Sequence, residues 1–137
     1  MSTSLSKTQL RSLLRFAEDI ARQAGGILKK GFSTVHRVQY KGRIDPVTEA
    51  DLKSEKFITG KISKHYPGHT ILAEEGTGSG LEAEFRWVID PLDGTVNYAH
   101  GFPVYCVSIG LEHDGRMLLG WRAEPAFAGS RPTPGRA

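Results

Sequence analysis

The chain has one cysteine among 137 residues, Cys106, and no long apolar run. A single cysteine excludes a disulfide within the chain and fits a reducing compartment, so we expect a cytoplasmic protein. No segment approaches the roughly 18–20 consecutive apolar residues of a membrane span, and the N-terminus lacks the apolar core of a secretory signal. We therefore expect no membrane partner.

The chain also lacks a large excess of either positive or negative charge. The 18 lysines and arginines against 15 aspartates and glutamates leave a net charge of +3 at pH 7. There is no basic stripe with interleaved aromatic residues that could follow a phosphate backbone, so we expect no nucleic-acid partner. The five histidines show no paired spacing, which argues against a zinc site.

The chain does contain a concentrated motif at residues 87–98, which reads Trp-Val-Ile-Asp-Pro-Leu-Asp-Gly-Thr-Val-Asn-Tyr. Its first three residues predict a short buried strand that carries Asp90 at its carboxyl end and stops at Pro91. Asp90 and Asp93, with a backbone carbonyl between them, suit a hard divalent cation that prefers oxygen ligands. The segment therefore predicts a metal site at a strand end.

The next two residues, Gly94 and Thr95, open a turn or helix whose N–H groups can bind a phosphate. Adjacent metal and phosphate sites indicate metal-assisted phosphoryl chemistry. D-x-x-D-G is also a common turn composition, and this segment alone leaves that interpretation open. An EF-hand loop starting at Asp90 is excluded, because its sixth and twelfth positions hold Thr95 and Gly101 where glycine and glutamate are needed.

Three segments, in order, resemble motifs of the inositol monophosphatase family. Residues 87–103 resemble the central motif of that family, residues 45–51 resemble its D-x-V-T-x-x-D, and residues 71–76 resemble its I-x-G/A-E-E. The resemblance implies that residues 1–120 form the N-terminal metal- and phosphate-binding portion of such a domain. Residues 121–137 contain three prolines and four alanines without apolar periodicity, which predicts a disordered tail outside the family.

The periodicity predicts an α+β fold with two N-terminal helices packed on an antiparallel sheet. Ser6 and Gln9 form a capping box at the predicted start of the first helix. That helix covers the apolar positions of residues 10–28 and stops at Gly31, and a loop with a short strand near 35–40 follows. The second runs from Thr48 or Glu49 to near His65 and buries Leu52, Phe57, Ile58 and Ile62. Strands follow at residues 70–73, 104–112 and 116–120, the last two forming a hairpin around Asp114-Gly115. The resemblance implies the N-terminal part of a layered α/β/α/β/α phosphatase fold whose C-terminal part is absent.

The resemblance also implies the metal ligands. A first Mg²⁺ is expected on Glu74, Asp90 and the backbone carbonyl of Leu92, and a second is expected to be shared by Asp90 and Asp93. The third carboxylate of the second metal belongs to a W-D segment that this chain lacks. Glu75 is expected to be a solvated strand end rather than a further ligand.

Catalytic roles come from the same resemblance. Thr95, hydrogen-bonded to Asp51 and helped by Glu74, is expected to orient and deprotonate a metal-activated water. Asp93, Gly94 and Thr95 are expected to contact the substrate phosphate. Asp51 also fits a helix cap with Thr48, and the two roles are compatible.

The expected function is magnesium-dependent hydrolysis of a small phosphate monoester such as inositol monophosphate, by a protein that is a homodimer when full-length. One alternative is a truncated, catalytically crippled fragment that binds only metal or phosphate, and weakly. A second is a phosphatase of the same family that acts on nucleotide, sugar or histidinol phosphates. A third is an unrelated binding domain whose motifs are turns.

Overall fold

The structure, a computed structural model, describes residues 5–37, 46–73, 84–124 and 130–133. These ranges contain helices and strands in the order α1 (Lys7–Arg37), α2 (Pro46–His65), β1 (Thr70–Ala73), β2 (Phe85–Asp93), α3 (Thr95–Ala99), β3 (Cys106–His113), β4 (Arg116–Ala123) and β5 (Ser130–Thr133). The predicted α+β class is confirmed. In the ranges that the structure describes, no helix has both the length and the apolarity needed to cross a membrane.

The five strands form one sheet in the order β1-β2-β3-β4-β5. Strands β2, β3 and β4 pair antiparallel, as predicted, and β5, which was not predicted, pairs antiparallel with β4. Strand β1 pairs parallel with β2, with Ala73 opposite Ile89, so the prediction of a wholly antiparallel sheet is wrong there. Parallel pairing requires the chain to return to the same end of the sheet, which takes about a dozen residues. Residues 74–84 between the two strands provide a connection of nearly that length.

Both long helices cover one face of the sheet, with α1 lying across β3 and β4 and α2 over β2. Alternate strand residues point into this layer because successive side chains of a strand face opposite ways. The buried strand residues on this helix-facing side include Trp87, Ile89, Ile109, Leu111, Leu119 and Trp121. The residues between them face away from the helices, and we call that side the outer face.

Helix α1 begins as the sequence predicts but ends later. The Ser6 Oγ accepts a hydrogen bond from the Gln9 amide at 3.0 Å, and the Gln9 side chain accepts one from the Ser6 amide at 2.8 Å, which completes a capping box. The predicted stop at Gly31 is wrong, since the helix continues to Arg37. A Cβ at Gly31 would lie 2.7 Å from the Tyr98 Oη, so glycine serves close packing here rather than termination.

The buried face of α2 differs from the predicted one. Leu52 is 52% exposed, while Ala50, Ser54, Ile58 and Ile62 are buried at a regular spacing of four residues. Residues four apart lie on one side of a helix, and two of these four are small. The prediction that Leu52 is buried is therefore wrong.

The predicted disorder of residues 121–137 is wrong for two segments. Residues 121–123 belong to β4, and residues 130–133 form β5, which pairs with β4 in the register Trp121 to Pro132. The alternation of Leu119, Trp121 and Ala123 continues the inward pattern of β4, so the strand extends beyond residue 120. Proline is tolerated in an edge strand because its missing N–H can face away from the ladder. Residues 125–129 and 134–137 lie outside the described residues.

A stack of aromatic rings closes one end of the helix–sheet layer around His69. Trp87 Nε1 donates a hydrogen bond to His69 Nδ1 at 3.0 Å, which fixes the neutral tautomer with its proton on Nε2. The His69 ring also stacks on Tyr66 at 4.7 Å and on Phe85 at 4.5 Å. Burial lowers the pKa of His69, and the nearby Glu84 carboxylate opposes this shift in part.

We predict that His69 makes the chain acid-sensitive. As the pH falls through about 6.5, the unfolded chain binds a proton that the folded chain resists, so the free energy of unfolding decreases. His69→Asn retains an acceptor for Trp87 but cannot titrate, and its stability should depend less on pH between about 5 and 7. Urea titrations followed by tryptophan fluorescence measure this. His100→Asn, at an exposed histidine, is the control, and a wild-type pH slope in His69→Asn would contradict the prediction.

Candidate metal and phosphate site

A β-bulge in β2 determines where the two motif carboxylates point. Asp90 pairs with Ser108 and Asp93 pairs with Cys106, so three residue steps on β2 match two on β3. Residues three apart on a regular strand face opposite sides, but the extra residue returns Asp93 to the side of Asp90. The predicted strand end at Pro91 is therefore wrong: β2 continues through Pro91, which lies within the bulge.

The bulge is held from the core side by α2. Ser54 is fully buried, and its hydroxyl donates a hydrogen bond of 2.8 Å to the Pro91 carbonyl. The Leu92 side chain, only 2% exposed, packs in the core. A bulge disrupts the ladder locally, and Ser54 supplies a donor to a carbonyl within it.

The two carboxylates differ in their surroundings. Asp90 is half-buried with its Oδ1 atom fully buried, whereas Asp93 is exposed. Asp93 Oδ2 accepts a weak hydrogen bond from the Cys106 thiol at 3.8 Å, and the Ser108 Oγ lies 3.9 Å from the same sulfur. These contacts follow from the register, because Cys106 and Ser108 are two residues apart on one face of β3.

The Cys106 thiol is kept neutral at this position. Burial raises its pKa to about 11, with Asp93 and Asp90 adding to the shift and Ser108 and Arg122 opposing it. A thiol with this pKa is protonated near neutral pH and is a poor nucleophile and metal ligand. Cys106 is therefore a packing residue beside the carboxylates.

Gly94 forms the tight connection from β2 into α3. Its φ of 91° lies in the left-handed region, and a Cβ there would lie 2.9 Å from the Val104 carbonyl oxygen. Thr95 is exposed at the first position of the five-residue α3. The fully buried Tyr98 anchors this short helix to α1 by donating a hydrogen bond of 2.7 Å to the Leu28 carbonyl.

A second bulge, in β4, selects which residue faces the site. Leu111 pairs with Leu119 but Glu112 pairs with Met117, so Leu118 is an extra residue on β4. The shift places Trp121 opposite Ile109 in the core and Arg122 opposite Ser108 on the outer face. Without it, the guanidinium would face the helices and the indole would face outward, since a slip of one residue inverts the faces of a strand.

A cavity of about 290 Å³ lies beside the motif at the end of β2. Its lining combines acidic, basic and apolar side chains: Asp93, Gly94, Asn97, Val104, Tyr105, Cys106, Arg122 and Glu124. Asn97 Nδ2 donates a hydrogen bond of 3.0 Å to the Val104 carbonyl, which links α3 to the segment before β3. The cavity is therefore bounded by α3, β3 and the end of β4.

The predicted site residues are brought together in part. Asp90, Asp93, Gly94 and Thr95 gather where β2 meets α3, and Asp51 lies on α2, which contacts α3. Glu74, together with Glu75, falls outside the described residues, so its convergence with Asp90 stays a prediction. Among the described residues, no three histidine, cysteine, aspartate or glutamate side chains group closely enough to hold a metal ion.

Sequence reasoning missed two polar residues of this region, Ser54 and Arg122. The four-residue spacing of Ala50, Ser54, Ile58 and Ile62 was the available signal for Ser54. Arg122 had no such signal, because a regular hairpin around Asp114-Gly115 places Trp121, not Arg122, opposite Ser108.

Comparison with known proteins identifies the family. The sequence profile of the Inositol monophosphatase family matches residues 9–133, and the chain belongs to this family. It is 43% identical over 106 residues to an inositol monophosphatase of Mesembryanthemum crystallinum, covering 74% of this chain and 39% of that protein. It is 41% identical over 119 residues to an inositol-1-monophosphatase of Mesorhizobium japonicum, covering 85% of this chain and 45% of that protein.

Solved structures show the same fold. The crystal structure of inositol monophosphatase-II from Staphylococcus aureus MSSA476 aligns with a TM-score of 0.75 and 29% identity over 90% of this chain and 46% of that one. The chain thus spans less than half the length of these relatives. The family match also continues beyond residue 120, so the predicted boundary of the family at that residue is too early.

We predict that Ser54→Ala destabilises the chain by about 1–3 kcal/mol, because the buried Pro91 carbonyl loses its donor. Urea denaturation followed by circular dichroism measures the loss. Ser63→Ala, at an exposed serine of the same helix, is the matched control and should change stability by no more than about 0.5 kcal/mol. Equal effects of the two substitutions would show that α2 does not hold the bulge.

We also predict that Gly94→Ala is destabilising by at least about 1–2 kcal/mol, since alanine resists the left-handed conformation and its Cβ meets the Val104 carbonyl. Gly60→Ala should have the opposite sign, because a Cβ at this position on α2 meets nothing within 4 Å and alanine favours a helix by up to about 1 kcal/mol. Thermal denaturation of both variants gives the comparison. A Gly94→Ala chain as stable as wild type would contradict the geometry of this connection.

Proposed function

We propose that this chain forms the metal- and phosphate-binding part of an enzyme that hydrolyses a small phosphate monoester, such as inositol monophosphate, with Mg²⁺. The observation that carries the proposal is the β2 bulge, which puts Asp90 and Asp93 on one face of the sheet beside a cavity. The names of the relatives support the substrate class.

The donors present fit magnesium. Two carboxylates and the nearby backbone carbonyl of Leu92 are hard oxygen donors, the kind that Mg²⁺ takes in small number while keeping several waters. When bound, Mg²⁺ supplies charge neutralisation at the phosphate and lowers the pKa of a coordinated water. Glu74 is the further ligand that we propose.

The residues of the chain have separate tasks in this proposal. The N–H groups of Gly94 and Thr95 donate to phosphate oxygens, and Gly94 provides close approach because it has no side chain. The exposed Thr95 hydroxyl would donate a hydrogen bond to the Asp51 carboxylate, and its oxygen would accept a hydrogen bond from the attacking water. This arrangement would orient the water and favour transfer of the water's proton through Thr95 to Asp51. Asp90 and Asp93 would hold the cation.

The size of the cavity indicates what this chain contacts. At about 290 Å³ it is at the lower limit of ordinary ligand pockets, which start near 300 Å³. A phosphate group fits in a cavity of this volume. We therefore propose that phosphate binding resides here and that discrimination between inositol and other alcohols depends on the rest of the enzyme.

The test is Mg²⁺ binding by calorimetry on the wild-type chain and on Asp90→Asn. We predict that wild type binds Mg²⁺ and that Asp90→Asn weakens binding at least about tenfold, because a half-buried ligand loses its charge. Asp19→Asn, at an exposed aspartate of α1, is the matched control and should bind like wild type. Equal Mg²⁺ affinity in Asp90→Asn and wild type would contradict the assigned site.

Hydrolysis of inositol monophosphate, measured in the same samples, distinguishes an active phosphatase from a fragment that only binds metal or phosphate. Metal binding with turnover supports a complete catalytic centre. Metal binding without turnover supports the alternative of a fragment that binds but does not hydrolyse, because a necessary ligand lies in the part of the family fold that these 137 residues do not cover.

A further inference from the structure

Three neighbouring strands place a carboxylate, a hydroxyl and a guanidinium in one row on the outer face. Asp90 pairs with Ser108, and Ser108 pairs with Arg122. Directly opposed residues of antiparallel strands point to the same side, with Cβ atoms roughly 4.5–5.5 Å apart. Arg122 is therefore two strands away from Asp90, within reach of a group that is bound between them.

The Arg122 side chain borders the cavity beside the motif. It lines the same cavity as Asp93, Gly94 and Cys106, and the Cys106 sulfur lies 3.8 Å from Asp93 Oδ2. The cavity lining thus includes both a proposed metal carboxylate and a fixed cation.

Arg122 forms an ion pair at the end of its own strand. Its Nε atom is buried and lies 3.4 Å from Glu124 Oε1, while the side chain as a whole is 42% exposed. Glu124 is the one carboxylate within 4.0 Å of this guanidinium in the described ranges. A guanidinium has five N–H donors, more than one carboxylate contact uses, so it can also donate to an anion in the cavity.

We propose that Arg122 is a phosphate-binding residue, which contacts the substrate phosphate in the cavity next to Asp93, on the face that also carries Asp90. The inference deepens the proposed function and rests on it. Arginine suits this task because its planar fork of N–H donors matches two phosphate oxygens at once.

The charges around the cavity couple the binding of Mg²⁺ to the binding of phosphate. Among the described residues, the cavity lining carries two carboxylates, Asp93 and Glu124, and one guanidinium, that of Arg122. An anion is therefore repelled from the empty cavity and binds well only after Mg²⁺ has neutralised the aspartates. By linkage, phosphate must raise the affinity for Mg²⁺ by the same factor as Mg²⁺ raises the affinity for phosphate.

The experiment measures two affinities on the full 137-residue chain by calorimetry. One is the affinity for inorganic phosphate at saturating Mg²⁺, and the other is the affinity for Mg²⁺ without phosphate. Arg122→Gln should weaken phosphate binding about 10- to 100-fold, the loss expected when hydrogen bonds to a charged group are removed. Its affinity for Mg²⁺ should be unchanged or higher, because a repelling charge has gone.

Two further variants sharpen the comparison. Arg122→Lys keeps the charge but loses the fork, so its phosphate affinity should fall between those of wild type and Arg122→Gln. Arg116→Gln is the matched control, since it removes an exposed arginine at the other end of β4 and should bind both ions like wild type.

Each outcome decides the inference. Wild-type phosphate affinity in Arg122→Gln and Arg122→Lys, with Mg²⁺ binding intact, overturns the role of Arg122 and leaves the proposed function standing. A parallel loss of both affinities in Arg122→Gln shows a structural role and also overturns it. If the wild-type chain binds no Mg²⁺, the proposed function fails, and this inference fails with it.

Discussion

The geometry of the site depends on one irregularity, the bulge at Pro91 in β2. A regular strand would send Asp90 and Asp93 to opposite faces, one toward solvent and one into the helix layer. The extra residue brings both to the outer face, and the same step buries the Leu92 side chain. A buried hydrogen bond from Ser54 to the Pro91 carbonyl connects this irregularity to α2. The core and the site therefore share a structural element, and loss of packing at α2 would also displace the carboxylates.

A second irregularity, the bulge in β4, also changes which residues face the helices, because successive residues of a strand point to opposite sides. Trp121 and Arg122 are adjacent, so one of them must face the helices. Burying an unpaired guanidinium is far more costly than exposing an indole, and the bulge at Leu118 places Trp121 inside. The register that buries Trp121 in the core thus also places Arg122 in the lining of the cavity. Together the two bulges give this part of the outer face a pair of carboxylates and a cation in neighbouring positions.

The sequence predicted the features that local chemistry determines. The capping box at Ser6, the β1 strand from Thr70 to Ala73 and the hairpin around Asp114-Gly115 follow from short patterns, and the structure has all three. It could not predict features that depend on distant contacts. Gly31 is typical of a helix end in the sequence, but its close contact with Tyr98 depends on the tertiary fold. Neither bulge can be predicted from the alternation of apolar and polar residues in its strand. The motif residues could be identified by their type and spacing. That Asp90 and Asp93 share one face of the sheet could not be predicted.

The central claim is that a divalent cation binds on the outer face at the end of β2. Titration with Mn²⁺, which prefers the same oxygen ligands as Mg²⁺, tests it most directly through the broadening of backbone amide signals in nuclear magnetic resonance spectra. The account predicts that broadening at low Mn²⁺ concentration is centred on residues 90–94 and 106–108. Broadening centred instead on other carboxylates, such as Glu18 and Asp19 of α1, with residues 90–94 unaffected, would contradict it.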